Sequence, residues 1–180
     1  MLAAVQIARA LREHPAKVTA FVPHYAMSGG TLICLAANEI VMSPHAVLGP
    51  VDPQLGQIPA ASLIKVVEQK PIAEIDDQTL MMADVGRKAI TQVRSVVHEL
   101  LAGRLSNEQA DSLSHKLSEG TWTHDYPISA TEAKSLGLNV NTDIPVEILE
   151  FLSLYPQPMR TQTGVEYLPI PRQRQAGPRA

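Results

Sequence analysis

Ser28 and the two glycines after it form the part of this sequence whose residue types best suit chemistry. A short run rich in β-branched residues, 18–23, predicts a buried strand before the serine, and the apolar run 31–37 predicts a buried helix after it. A serine at a sharp strand-to-helix turn is typical of a nucleophile elbow. Residues 26–30 (AMSGG) depart from G-x-S-x-G only at the first position. The pattern therefore predicts that Ser28 attacks a carbonyl group.

The neighbouring glycines suit such an attack. Gly29 has no side chain beside its N–H, so that N–H can point at the oxyanion formed when Ser28 attacks. The helix N-terminus would also stabilise negative charge near the serine oxygen. Gly30 would let the substrate backbone approach closely. The five residues leave one structural alternative open, a glycine turn in which Ser28 is an ordinary helix N-cap.

Composition limits the fold and the kinds of partner. With 180 residues and 45% apolar content, the chain is long enough for one hydrophobic core. A net charge of −3 gives no electrostatic case for nucleic acid. Cys34, the single cysteine, lies among apolar residues and is predicted to be a core residue. No run reaches the ~18 apolar residues of a membrane span and no signal peptide is visible. We expect a cytoplasmic protein, or one associated with a membrane through segments outside this chain.

Hydrophobic periodicity and capping signals predict the remaining elements. The long segment 76–103 is predicted to be a helix whose buried face carries Met82, Val85, Ala89, Val93, Val96 and Leu100. Beside that face it should expose Ile90, Val97 and Leu101, an apolar band that a second subunit would cover. The other predicted elements are strands at 39–42 and 46–48, a strand-like segment around Trp122, helices at 2–13 and 60–70, and helices opened by the capping boxes Ser106/Gln109 and Ser129/Glu132.

The composition changes near residue 155. Residues 155–180 contain five prolines, four arginines and one glutamate, with few large apolar side chains. Such a segment cannot form much of a core. We therefore predict a folded domain over 1–154 and a Pro/Arg-rich tail over 155–180 that wraps a neighbour or stays disordered.

Several longer stretches carry a family resemblance. Residues 28–30 (SGG), 36–44 (AANEIVMSP) and 46–50 (AVLGP) resemble the core of the Clp and signal peptide peptidase A clan of serine peptidases. Residues 47–56 (VLGPVDPQLG) and 120–127 (GTWTHDYP) look more narrowly like the serine dehydrogenase proteinase family. The resemblance implies a single domain with a crotonase-like α/β fold, proteolysis of polypeptides, and a homo-oligomeric ring.

The resemblance also implies site residues. It places Gly49, Pro50 and Val51, with Gly30, where substrate would bind. In the family, the first helix follows a strand and a Gly-Gly turn that donates the second oxyanion hydrogen bond. This sequence starts inside that helix and lacks that strand and turn, so we expect either that the chain is a fragment or that one oxyanion donor is missing. Losing one such donor costs roughly 2.7–4 kcal/mol in comparable sites.

Activation of Ser28 requires a general base, for which the sequence offers lysines. Clp-type peptidases have a histidine in the slot that here reads GPVDP, 49–53, and His45 before it is predicted to be a surface turn residue. The missing histidine favours a serine–lysine dyad, as in the signal peptide peptidase branch. A lysine base needs desolvation. Lys70, on the apolar stripe of its predicted helix, is the first candidate, and Lys88, beside the apolar face of the long helix, is the second.

Other site patterns are weaker. His124 and Asp125 lack further ligands at metal-binding spacing, so a structural hydrogen bond is favoured there. No dinucleotide or phosphate-binding fingerprint occurs, and we expect no cofactor and no metal. The sequence thus predicts a cofactor-independent serine peptidase. Two alternatives stay open: a crotonase-fold acyl-CoA enzyme, which needs no serine, and a degenerate, non-catalytic assembly subunit.

Overall fold

The computed structural model describes residues 2–155 and contains three small sheets. The first sheet is entirely parallel. It consists of β1 (Thr19–Val22), β3 (Glu39–Met42) and β8 (Val140–Asn141) in the order β1-β3-β8. Parallel neighbours need a crossover connection. The crossover from β1 to β3 contains α2 (Gly29–Ala36), so the predicted strands and apolar helix of this region are confirmed with slightly different ends.

The second sheet positions the serine. Its strands are β2 (Tyr25–Ala26), β4 (Val47–Leu48) and β7 (Ile128–Ser129), in the order β2-β4-β7. β2 and β4 are parallel, whereas β4 and β7 are antiparallel. Because the carboxyl ends of parallel strands lie at one edge, the chain leaving β2 and the chain leaving β4 emerge side by side. Ser28 follows β2, so the serine comes after this second strand and not directly after β1.

Helices surround these sheets, and a small hairpin of β5 (Gln54–Leu55) and β6 (Ile58–Pro59) precedes the third helix. Asp76 caps the long helix by accepting a hydrogen bond from the Thr79 N–H. The predicted capping box of Ser106 and Gln109 is present with both of its bonds. The remaining helices are α1 (Leu2–Arg12), α3 (Ala60–Gln69), α4 (Asp77–Leu101), α5 (Asn107–Ser118), α6 (Ala130–Ser135) and α7 (Val146–Ser153).

The long helix α4 buries Val93 and Leu100 as predicted, but it differs from the prediction at other positions. Val97 and Leu101, predicted to be exposed, are 0% and 2% exposed, and both belong to the hydrophobic core, to which α2 and α5 also contribute. Val85, predicted to be buried, is 51% exposed, and Ile90 is half-buried. The predicted exposed band of Val97 and Leu101 is therefore wrong, and the apolar side chains that α4 exposes lie in its first half.

Two other predictions concern burial and loop structure. Cys34 lies in the core as predicted, and burial raises the pKa of its thiol to about 12. The strand predicted around Trp122 is wrong, since residues 121–127 form bends and turns.

In residues 2–155, no helix is both long and apolar enough to cross a membrane. The predicted tail, 155–180, lies outside the described residues apart from Tyr155.

Candidate active site

Ser28 has a strained backbone. Its φ is 50° and its ψ is −108°, and among residues 2–155 it is the one residue other than glycine with a positive φ. Such a conformation costs of order 1–3 kcal/mol and persists when the surrounding structure holds it. Strand β2 ends two residues before Ser28, and α2 begins one residue after it. This is the strand–turn–helix geometry of a nucleophile elbow.

Helix capping does not account for the serine. Ser28 is the N-cap residue of α2, yet its side chain makes no capping hydrogen bond. The residue is partly exposed. The alternative of an ordinary N-cap serine is therefore not supported, because the hydroxyl does not satisfy the helix N–H groups that a cap would satisfy.

The two glycines have different surroundings. Gly29 is the first residue of α2, so its N–H has no partner within the helix. A Cβ at Gly29 would lie 2.9 Å from the Cβ of Ala4, which shows that close packing of α1 also requires a glycine here. The Gly30 N–H donates to the Met27 carbonyl oxygen at 2.8 Å. Gly29 is thus the better placed of the two to donate to an oxyanion.

The chain leaving β4 packs directly beside the elbow. The Gly49 N–H donates to the Ala26 carbonyl oxygen at 3.1 Å, and a Cβ at Gly49 would lie 2.7 Å from the Met27 sulfur. Gly49, Pro50 and Val51, the predicted substrate-binding residues, are all buried. Their close contact with the elbow means that the residue after them, at position 52, is held near Ser28's edge of the sheet.

That next residue belongs to a buried acid–histidine pair. The side chain of Asp52 is 3% exposed, and its Oδ1 lies 2.9 Å from Nδ1 of His124. Its Oδ2 accepts a hydrogen bond from Nε2 of Gln54 at 2.6 Å. Because an ionised carboxylate only accepts hydrogen bonds, a neutral His124 must carry its proton on Nδ1. Nε2 of His124 then has a free lone pair and can accept a proton.

Aromatic packing holds the loop that carries His124. Trp122 and Tyr126 stack with ring centroids 5.0 Å apart and planes 4° apart, on either side of the histidine in sequence. Nζ of Lys116 lies 5.2 Å from the Trp122 ring centre, and the Tyr126 N–H donates to the Thr123 carbonyl oxygen at 3.0 Å. The His124 side chain is 37% exposed, so it is anchored at Nδ1 and still open to solvent.

The structure places both predicted lysines on the surface. Lys70 is the C-cap residue of α3, is exposed, and donates from Nζ to the Glu74 carbonyl oxygen at 3.2 Å. Lys88 is 68% exposed, and its Nζ lies 2.5 Å from Oδ2 of Asp84, four residues earlier on α4. Both side chains were expected to be buried beside the apolar faces of their helices, and neither is. The desolvation that a lysine base requires is absent at both positions.

Sequence reasoning missed Asp52 and gave His124 only a structural hydrogen bond. The bond exists, but its partner is a buried carboxylate 72 residues away in the chain. The available signal was an aspartate between two prolines directly after a buried strand, at the edge that also carries Ser28. His124 and Ser28 do not form a hydrogen bond in this structure. Within residues 2–155, no cluster of three or more His, Cys, Asp or Glu side chains could hold a metal ion.

Two curated proteins are similar to almost the whole of this chain. The chain is 55% identical over 177 residues to the uncharacterized protein MJ0137 of Methanocaldococcus jannaschii, covering 98% of this chain and 62% of that protein. It is 51% identical over 170 residues to the uncharacterized protein MJ1495 of the same organism, covering 94% and 58%. The chain thus spans about three fifths of the length of these relatives.

A solved structure supports the fold. A mutant of the 1510-N membrane-bound stomatin-specific protease matches with a TM-score of 0.51 and 21% identity, over 82% of this chain and 61% of that one. At this identity the likeness concerns the fold, and it confirms the predicted Clp-peptidase-like α/β class. The family model of ClpP-like SDH-type serine proteinases matches residues 1–179. The chain therefore belongs to the ClpP-like SDH-type serine proteinase family.

Proposed function

We propose that this chain hydrolyses peptide bonds in polypeptides, with Ser28 as the nucleophile. The observation that carries the proposal is the strained backbone of Ser28 at the start of α2, combined with a hydroxyl that makes no capping bond. An acyl-CoA enzyme of this fold class needs no serine, and a non-catalytic subunit gains nothing from a strained one. The serine proteinase family of the chain supports the same choice.

The proposed first step is attack of the Ser28 oxygen on the carbonyl carbon of the substrate. The carbonyl oxygen becomes an oxyanion, and the free Gly29 N–H donates a hydrogen bond to it. The positive end of the α2 dipole adds to this stabilisation. Gly30 is partly exposed and would let the substrate backbone approach closely, whereas Gly49, Pro50 and Val51 are buried and would have to shape the substrate site from beneath.

We propose His124 as the general base and Asp52 as the group that orients it. The proton of the Ser28 hydroxyl would pass to Nε2 of His124, while Asp52 holds the Nδ1 proton and stabilises the imidazolium that forms. Catalytic hydrogen bonds are often long in structures without substrate and tighten when it binds. Lys70 and Lys88 stay as alternative bases, and either would first have to leave its present partner.

We also propose that the chain assembles into a homo-oligomer. The first half of α4 exposes 64% of Met81 and 51% of Val85, and both side chains line one surface groove with Met82 and Leu55. A second copy covering this groove would remove apolar surface from water. Light scattering should give a mass above 19.5 kDa, and Val85→Glu should lower it. A monomer at high micromolar concentration would contradict the assembly.

The activity can be tested with an unfolded polypeptide substrate. Purified wild-type chain should release peptides from dye-labelled, unfolded casein, and Ser28→Ala should abolish the release. Its melting temperature should stay within about 3 °C of wild type, because the hydroxyl makes no cap. Ser95→Ala, which removes an exposed hydroxyl on α4, is the matched control and should keep full activity. Equal activity in Ser28→Ala and wild type would refute the nucleophile.

A further inference from the structure

Thr31 is a buried polar residue in the first turn of α2, three positions after Ser28. It is 1% exposed. Its Oγ1 lies 2.7 Å from the Ala26 carbonyl oxygen and 2.8 Å from the Gly49 carbonyl oxygen. The same oxygen accepts a hydrogen bond from the Gly49 N–H at 3.2 Å. A hydroxyl has one proton, so it donates to one of the two carbonyls at a time while it accepts from the amide.

These contacts join three segments of the site at one atom. Ala26 ends the strand before the nucleophile, Thr31 belongs to the helix after it, and Gly49 begins the segment that leads to Asp52. The Gly49 N–H also bonds the Ala26 carbonyl oxygen, so the two strands are paired without Thr31. What Thr31 adds is a link from helix α2 to both strand ends.

We infer that Thr31 is a positioning residue that holds the Ser28 elbow and sets its place relative to the Asp52–His124 pair. Strained conformations persist only where the surroundings over-determine them. Ser28 makes no capping bond of its own. The hydrogen bond between Thr31 and the Ala26 carbonyl oxygen instead fixes the chain on both sides of it. Asp52 follows Gly49 by three residues, so the same hydroxyl constrains the acid. The inference rests on the proposed function.

A purely structural role makes a different prediction. A buried hydroxyl must be hydrogen-bonded, and its removal leaves carbonyl or amide groups less satisfied and lowers stability. It would not, however, change the reaction rate of each folded molecule. The rate constant of active-site modification, measured on folded protein, separates the two roles.

The test compares Thr31→Val, which keeps the shape and removes the hydroxyl, with Thr31→Ser, which keeps the hydroxyl. The rate constant for modification of Ser28 by a fluorophosphonate should fall about 100-fold in Thr31→Val, as expected for a misplaced reacting group. Thr31→Ser should stay within about 3-fold of wild type, because it restores the bonds. Thr31→Ala serves as the second hydroxyl-free variant if Thr31→Val does not fold. A Thr31→Val rate within about 3-fold of wild type would overturn the inference.

A second measurement does not depend on catalysis. Amide hydrogen exchange at residues 25–30 and at Gly49 should be at least about 10-fold faster in Thr31→Val than in Thr31→Ser, with α5 amides unchanged. Equal exchange in the two variants would overturn the link between helix and strands. A wild-type chain that is not modified at Ser28 would contradict the proposed function, and exchange would then decide the positional role alone.

Discussion

The elbow edge of the second sheet and the helix pair α3–α4 use polar residues in opposite ways. At the elbow edge, Thr31 and Asp52 are 1% and 3% exposed, and each has one partner distant in the sequence, Gly49 for Thr31 and His124 for Asp52, besides a nearer one. On α3–α4, Lys70 and Lys88 are exposed, and each bonds a group four residues away. The elbow edge therefore depends on tertiary structure, whereas the lysine contacts are local.

The energetic consequences differ accordingly. An exposed ion pair such as Lys88–Asp84 contributes between about 0 and 1 kcal/mol and can break without much loss. A buried carboxylate is costly unless it is partnered, so Asp52 commits His124 and Gln54 to fixed positions. Departures from local preference, such as the strain at Ser28, are expected at functional sites. The general base is therefore expected at the elbow edge.

The largest expected effect comes from the acid–histidine pair. His124→Gln and Asp52→Asn should each lower the rate of casein hydrolysis by about 10²–10⁴-fold, because the first removes the proton acceptor and the second its orientation. His45→Gln, at an exposed turn, is the matched control and should keep wild-type activity. Wild-type rates in both test variants would remove His124 from the mechanism.

Replacing the exposed lysines of α3 and α4 should have little effect on catalysis. Lys70→Met and Lys88→Met should keep hydrolysis within about 2-fold of wild type, as should Lys65→Met, an exposed lysine of α3. A true base acts as one unit with its nucleophile, and its loss removes activity as completely as loss of the serine. If Lys70→Met or Lys88→Met were as inactive as Ser28→Ala, that lysine would be the base and His124 would not.

The smallest effect concerns stability and changes sign between the two regions. Ser28→Gly should raise the free energy of unfolding by about 1 kcal/mol, since glycine relieves part of the strain at φ 50° while losing more chain entropy on folding. Lys88→Gly, in the regular part of α4, should lower it by about 1 kcal/mol. Urea denaturation measures both. A destabilised Ser28→Gly would argue against strain at the elbow.

Local sequence signals predicted much of this structure. The serine turn, the strand at Glu39–Met42 and the capping box of Ser106 follow from residue types at short spacing, and all three are present. Burial along α4 was predicted wrongly at Val97 and Leu101, because it depends on which helices pack on that face.

The contact between Asp52 and His124 could not be predicted from local sequence, because it also depends on tertiary packing. Asp52 and His124 are 72 residues apart, and their contact results from how β4 and the loop before β7 are placed by the second sheet. His124 lies in an irregular loop, and such a loop has no hydrophobic periodicity that would predict where its side chains lie. Only the aspartate between two prolines, beside a predicted strand end, gave a local signal.

Site-resolved covalent modification tests the central claim most directly. Wild-type chain treated with a fluorophosphonate and digested should carry one modified residue by mass spectrometry, Ser28, since its oxygen should be the activated nucleophile. Ser28→Ala should remain unmodified, and His124→Gln should react far more slowly. Modification at another serine with Ser28 untouched, or no modification of the folded wild-type chain, would contradict the assignment of Ser28 as the catalytic nucleophile.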